Sequence, residues 1–555
     1  MRRIAALAIL ALVRVASAAP SANARTTKRT YLVLYQKGAS SAAARRAIRR
    51  AGGRVLRENR IVGVAEVAGG SRLARGLAHV RTVAGVARNR AVARVRDKWG
   101  VEKERAAGSR AGTGAVAPVR GGDPFSGLQW DMRMIGATPS GSYRYDQGSH
   151  LVRVGIIDTG IDANHPDIAP NFDYKLSHNF TSDDPIIDGP CAADIDHSCK
   201  PDPPTVDEDG HGTHVAGTVG AALQGFGMAG VAPKVDLVNL RAGQDSGYFF
   251  LLPSVDAITY AANHGIDVVN MSFYIDPWLF DCAHNAADNP AERREQQVIL
   301  AATDRALQYA HSRGVTLIAA SGNEATDLGH PRSDDTSPDY PDSDNSPHAR
   351  KIDNGCRSEP SEGPHVINVN AVGPTKRKSF YSNYGVEQSD VAAPGGDSRD
   401  FFGTFFYRFP QVTEVLAPYP YHVAVAAGDV DPKTGDINPD SAPFVRKYCT
   451  DAVGCAYYQY LQGTSMAAPH AVGVAALIVS RIGKRDTRHG GVTANPDTVE
   501  RQLKALANQQ ACPAREPFTY PGQDSSYDAR CEGTRSFNGF FGRGIVSARR
   551  AALGR

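Results

Sequence analysis

Several chemistries are excluded by what this 555-residue chain does not contain. None of its eight cysteines is spaced Cys-x-x-Cys, so nothing supports a zinc knuckle. No His-Glu-x-x-His occurs either. His211 and His214 stand three apart, and Gly212 lies where a zinc-peptidase helix would carry its glutamate base. A Gly-x-Ser-x-Gly turn, the mark of an α/β-hydrolase acting as an esterase, is also missing. No internal repeat is evident. The N-terminal apolar run, 4–13, is about half of the roughly 20 residues that a membrane span requires. No other segment reads as long and apolar enough to cross a bilayer. A hydrophobic fraction of 42% argues against bulk disorder.

What is present points to export. Residues 1–18 combine Met1-Arg-Arg, the apolar run and Ala16-Ser-Ala18, the layout of a secretory signal peptide. The product is expected to be secreted, extracellular and without a stable membrane anchor. An even number of cysteines suits an oxidising compartment. Their spacing suggests Cys191–Cys199, Cys449–Cys455 and Cys512–Cys531, leaving Cys282–Cys356, although eight cysteines allow 105 pairings. Charge is divided unevenly. Residues 1–120 hold 26 Lys/Arg against 5 Asp/Glu, and the remainder 36 against 53. A basic arm can bind nucleic acid, but the acidic remainder of the same chain is the simpler partner, and no nucleic acid is expected.

The length calls for a large domain with an accessory segment. Period-2 and period-3.6 patterns predict β-α-β-β-α-β: strands near 30–36, 54–56, 61–67 and 83–95, with helices near 42–51 and 73–79. Residues 98–122, rich in Gly, Ala, Lys, Glu and Arg, read as a linker. Beyond it, strands near 152–157, 235–240, 266–271, 315–320 and 366–370 alternate with helices near 214–222, 253–264, 298–312, 467–480 and 498–507. That alternation predicts an α/β fold, a mostly parallel sheet with helices on both faces.

Three motifs carry chemistry. Val154-Gly-Ile-Ile-Asp-Thr-Gly-Ile-Asp162 is an apolar strand ending in a carboxylate on a turn. Asp209-Gly-His-Gly-Thr-His-Val-Ala-Gly-Thr218 supplies a histidine, and Gly463-Thr-Ser-Met-Ala-Ala-Pro-His470 a serine that opens a helix. A serine hydroxyl is a poor nucleophile unless an imidazole takes its proton and a carboxylate fixes the imidazole's tautomer. Asp158, His211 and Ser465 fall in that chain order, one of three known for such an apparatus. In Ile318-Ala-Ala-Ser-Gly-Asn-Glu324 an apolar strand runs into Gly322 and Asn323, where asparagine by itself is a routine turn residue.

At these residues the chain resembles the subtilisin-like serine proteases (subtilases). The resemblance implies a serine endopeptidase that cleaves polypeptide substrates, is likewise a monomer and needs no cofactor for its chemistry. It implies an inhibitor-like propeptide over 30–97 that acts as intramolecular inhibitor and folding aid. It also implies a processing region over 98–122, and a catalytic domain over 123–555. Insertions at 173–208, 274–295, 325–362 and 398–460 interrupt the resemblance, and they read as loops without a core of their own, pinned by disulfides. The segment 542–552 resembles the closing segment of the domain, and no further module is expected after it. The resemblance implies Asn323 as the second oxyanion donor, and a substrate that meets Ser246, Gly247, Ser272 and Gly322. Tyr274 stands where the family usually has glycine, so the first specificity pocket should differ in shape. Asp167 and Gln224, the latter replacing a usual asparagine, with the carbonyls of Ala222, Phe226 and Met228, are the implied structural Ca²⁺ ligands. The acidic insertion over 183–209 is a second place where calcium could bind.

Overall fold

Strict alternation in the first strand buries both of its faces. Tyr31, Val33 and Tyr35 point into a small core with Ala44, Ile48, Leu73 and Leu77, while Leu32 and Leu34 point the other way, toward Val255 and Val298. The computed structural model describes residues 29–89, 100–105, 108–112, 116–185, 187–191, 198–330, 332–339 and 347–555. The signal-peptide expectation for 1–18 lies outside them. The N-terminal unit comprises β1 (Arg29–Tyr35), α1 (Ser41–Arg50), β2 (Arg54–Asn59), β3 (Val64–Gly69), α2 (Leu73–Leu77) and β4 (Val83–Asn89). Its antiparallel sheet runs β2-β3-β1-β4. Ser40 caps α1 by accepting from the Ala43 N–H, and Arg49 and Arg50 sit favourably in the last turn.

The large unit is built on seven strands: β5 (Arg153–Ile157), β6 (His178–Asn179), β7 (Asp236–Arg241), β8 (Val268–Met271), β9 (Thr316–Ala320), β10 (Val366–Val372) and β11 (Val391–Pro394). They lie in the order β11-β10-β9-β8-β5-β7-β6, and every pairing is parallel. Helices α3 (His211–Gly220), α6 (Thr464–Ile482) and α7 (Pro496–Ala505) cover one face. Helices α4 (Leu251–Asn263) and α5 (Pro290–Ser312) cover the other. The strands alternate between the two cores, with Val268 and Ile318 on one side and Val269 and Leu317 on the other. The α/β expectation therefore holds.

Three sequence expectations are corrected. Helix α5 starts eight residues before its apolar periodicity does, because Asn289 and Glu292 form a reciprocal capping box and Pro290 fits the first turn. The insertion 398–460 does build a core. Strands β12 (Val415–Tyr419), β13 (Val445–Thr450) and β14 (Gly454–Leu461) form an antiparallel sheet whose Leu416, Ala417, Tyr458 and Tyr460 pack on Phe226 and Met228. Finally, α6 is long and apolar enough to cross a membrane, contrary to the expectation that no segment beyond the N-terminal run is. It is the buried core helix, with Leu477 and Ile478 fully enclosed.

The N-terminal sheet lies on α4 and α5. Polar contacts fix its register: Arg57 Nη2 is 3.1 Å from Asp256, Asn59 Nδ2 donates to Asp256 and Thr259, and Arg305 Nη1 donates to the Tyr35 and Val62 carbonyls. All four expected disulfides are formed. In the large sheet, β7 and β8 flank β5 on opposite sides, so the chain turns away in both directions past its carboxyl end. Such a switch point opens a crevice for ligands.

Candidate active site

Asp158 follows β5 directly into that crevice and is fully buried. Its Oδ1 lies 2.7 Å from His211 Nδ1 and accepts from the Thr159 N–H at 2.8 Å. His211 is the first residue of α3. The preceding turn is held by Asp207, whose Oδ1 accepts from the Gly210 N–H and Thr159 Oγ1, and whose Oδ2 accepts from Thr213. Gly210 needs its positive φ of 94° to start the helix. A Cβ on Gly212 would overlap the Gly160 carbonyl, which explains why no glutamate stands there. His214, the other half of the excluded zinc pair, turns away: its Nε2 lies 3.1 Å from the Val415 carbonyl, and burial pushes its pKa down to about 3.

Ser465 is the second residue of α6, so its backbone N–H lies at the positive helix end. Asn323 leaves the carboxyl end of β9 after Gly322, whose φ of 101° only glycine adopts readily. Its amide is oriented by two bonds to Oδ1, from Thr464 N and Thr464 Oγ1, both at 2.9 Å. Ser272, at the end of β8, donates to the Ser465 carbonyl at 3.1 Å.

The group between these residues is one that the sequence did not reveal. Glu102, in the linker, reaches into the crevice and is 3% exposed. Its Oε1 accepts from Ser465 Oγ at 2.6 Å and from Asn323 Nδ2 at 3.0 Å, while Oε2 lies 3.4 Å from His211 Nε2. Burial disfavours charge on His211, but Asp158 and Glu102 outweigh it and raise its pKa well above the ordinary value. Burial likewise pushes the Asp158 carboxyl up against the pull of His211. With two carboxylates on one imidazole, the charged ring is the direction that governs. Glu102 is separated from Ser465 by 363 residues, and no one-dimensional pattern links them.

Beside Ser465 lies a cavity of about 320 Å³ lined by Ser272, Phe273, Tyr274, Leu279, Gly322 and Glu324, with Gly100 and Val101 of the linker at its edge. Tyr274 replaces open space with an aromatic wall, and its hydroxyl is anchored on Asp339 at 3.0 Å. Ser246 and Gly247 do not border this cavity. They form a separate tight turn, with Ser246 bonded to Asp188.

Asp167 and Gln224 come together, but as a closed hydrogen-bond group. Asp167 Oδ2 accepts from the Met228 N–H at 3.0 Å and from the Tyr458 phenol O–H at 2.8 Å, and Oδ1 accepts from Gln224 Nε2 at 3.3 Å. Burial raises the Asp167 pKa to about 7. Calcium wants a shell of oxygen acceptors, and here donors fill it. The residues present at Asp167 do not fit the ion.

Comparison with known proteins agrees with this geometry. The family model described as "Subtilase family" matches residues 149–539. The thermophilic serine proteinase of Bacillus sp. (strain AK1) is 27% identical over 342 residues, 61% of this chain and 55% of that protein. Thermitase of Thermoactinomyces vulgaris is 26% identical over 308 residues, covering 55% and 83%. Among solved structures, the epidermin leader peptide processing serine protease of Staphylococcus aureus superposes with a TM-score of 0.59 at 20% identity, covering 94% of this chain and 97% of that one. Fervidolysin of Fervidobacterium pennivorans gives 0.54 at 20% identity, covering 95% and 61%. The chain belongs to the subtilase family of serine endopeptidases.

Proposed function

We propose that the chain is made as a secreted, latent precursor, and that Asp158, His211 and Ser465 cleave polypeptides once the linker leaves the crevice. The observation that carries this reading is the Glu102 carboxylate, which accepts from Ser465 Oγ and Asn323 Nδ2 and faces His211. A carboxylate oxygen there marks where an oxyanion would sit. With Glu102 withdrawn, Ser465 Oγ attacks the substrate carbonyl carbon as its proton passes to His211 Nε2. Asp158 holds Nδ1–H and stabilises the imidazolium, and Asn323 Nδ2 donates to the carbonyl oxygen as it becomes negative. His211 then returns the proton to the leaving amine. Water attacks the acyl-serine by the same route in reverse, freeing the acid product.

On this reading, residues 30–97 are the inhibitor-like propeptide, processing falls within 98–122, and the basic arm finds its acidic partner in its own chain, as Arg57 on Asp256 suggests. Four disulfides favour an oxidising, extracellular setting. Asp183, Asp202 and Asp245 also bring carboxylate oxygens within 4.8 Å of one another, but the Arg241 guanidinium pairs with Asp202 and Asp245, so this cluster does not offer calcium an open shell either. Expression of Ser465→Ala tests the reading. The precursor should accumulate uncut and take no fluorophosphonate label, while Asn323→Ala should slow turnover by about 10²–10³. Normal processing of the alanine variant would sink the assignment.

A further inference from the structure

Past Glu102 the linker crosses the insertion 398–460, and its side chains enter defined places. Glu104 Oε1 pairs with Arg399 at 2.5 Å, and Arg105, its side chain 44% exposed, rests in a shallow pocket. Arg105 Nη2 lies 2.7 Å from Asp429 Oδ2, Nη1 donates to Ser441 Oγ at 3.3 Å, and the guanidinium stands 5.4 Å from the Phe444 ring centre.

The pocket has its own scaffold. Asp429 is fully buried. Tyr419 O–H donates to its Oδ2 at 3.0 Å, and Ser441 Oγ donates to its Oδ1 at 2.6 Å. Tyr419 ends β12, and Phe444 packs with Tyr419 and Val445 in the insertion's core. These bonds hold the carboxylate whether or not Arg105 is present. Both scaffold donors are neutral, so departure of the linker uncovers an oriented carboxylate without its cation, ready to pair with another guanidinium. A planar guanidinium fits between a carboxylate and an aromatic face better than an ammonium does. Arg105 follows Glu102 by three residues, whereas Gly100 and Val101, on the other side of Glu102, border the Tyr274 cavity. The pocket thus lies along the path of the chain beyond the nucleophile.

We propose that Asp429, Ser441, Tyr419 and Phe444 form a guanidinium subsite on the leaving-group side of the crevice, which takes an arginine of the polypeptide substrate after the linker has gone. This rests on the endopeptidase reading above. The self-processed enzyme is assayed with internally quenched peptides that carry arginine two, three or four residues beyond the cleaved bond. Each is paired with a citrulline peptide of the same shape but no charge. At one of the three positions kcat/KM should favour arginine by about 10- to 100-fold, the range expected for hydrogen bonds to a buried charge. In Asp429→Asn that ratio should fall to about one.

A wild-type ratio near one at all three positions overturns the inference without any variant. So does a ratio that survives in Asp429→Asn. Because each ratio is internal to one preparation, partial loss of folded enzyme does not disturb it. Failure to cleave any peptide, together with no fluorophosphonate label, refutes the endopeptidase reading and the subsite with it. A labelled, active enzyme indifferent to arginine refutes the subsite alone.

Discussion

Removing Glu102 should release the precursor's latency. Its carboxylate is 3% exposed and accepts from Ser465 Oγ at 2.6 Å and Asn323 Nδ2 at 3.0 Å. Hydrogen bonds to a charged group are worth about 1.5–3 kcal/mol. When the linker lifts, Asn323 and His211 regain water, so only the short bond to Ser465 is counted as net. Opening in Glu102→Ala is then easier by about 1.5–3 kcal/mol, or about 10- to 150-fold. The assay is the initial rate of fluorophosphonate labelling of uncut precursor, read by intact mass, with Ser465→Ala as blank. Glu102→Gln, which keeps the size and loses the charge, should fall between. The pH dependence carries a sign. Glu102 helps raise the His211 pKa, so the closed state is favoured while His211 is charged and weakens as pH rises through that raised value, above the ordinary histidine range near about 6.5. Labelling of wild type should therefore increase with pH, with its midpoint displaced downward in Glu102→Ala. A Glu102→Ala precursor that labels at the wild-type rate and with the wild-type midpoint would refute the reasoning.

Two further outcomes concern stability. Asp167 titrates near about 7 in the fold, raised by burial from 3.8, so the native state binds the extra proton and its stability is lost as pH rises through 7. Asp167→Asn should flatten the fall in Tm between pH 5 and pH 8, and chelator should affect the active half-life of wild type and of this variant equally, whereas a larger effect on wild type would return calcium to Asp167. Cys282–Cys356 spans a sequence separation of 74, for which loop-closure entropy gives about 4 kcal/mol. The double serine variant should show a markedly lower Tm by calorimetry, and an unchanged Tm would mean that packing alone holds the two insertions, 274–295 and 325–362, together.

Local patterns were legible because their causes are local. Alternation in β1, the apolar period of α4 and the glycines around His211 each report a backbone conformation or a buried face within a few residues. Edge strand β6 escaped because two residues carry no period of their own, and β11 because Val-Ala-Ala-Pro, small and closed by a proline, is defined by sheet pairing. Helix α5 was read short because its first turns are polar and are started by a cap.

By itself the sequence determined the alternation that makes a parallel α/β sheet, and it singled out Asp158, His211 and Ser465 as candidates because each ends or begins an element with a recognisable local signal, whereas Asn323 was reached only through the family resemblance. Tertiary structure alone decided three things. Glu102 stands between Ser465 and His211, Tyr458 and Gln224 close the Asp167 site to calcium, and Asp429 meets Arg105. Each joins side chains that are 57 or more residues apart. Such contacts depend on how whole elements pack and on which polar partner satisfies which buried charge, and neither leaves a periodic trace along the chain.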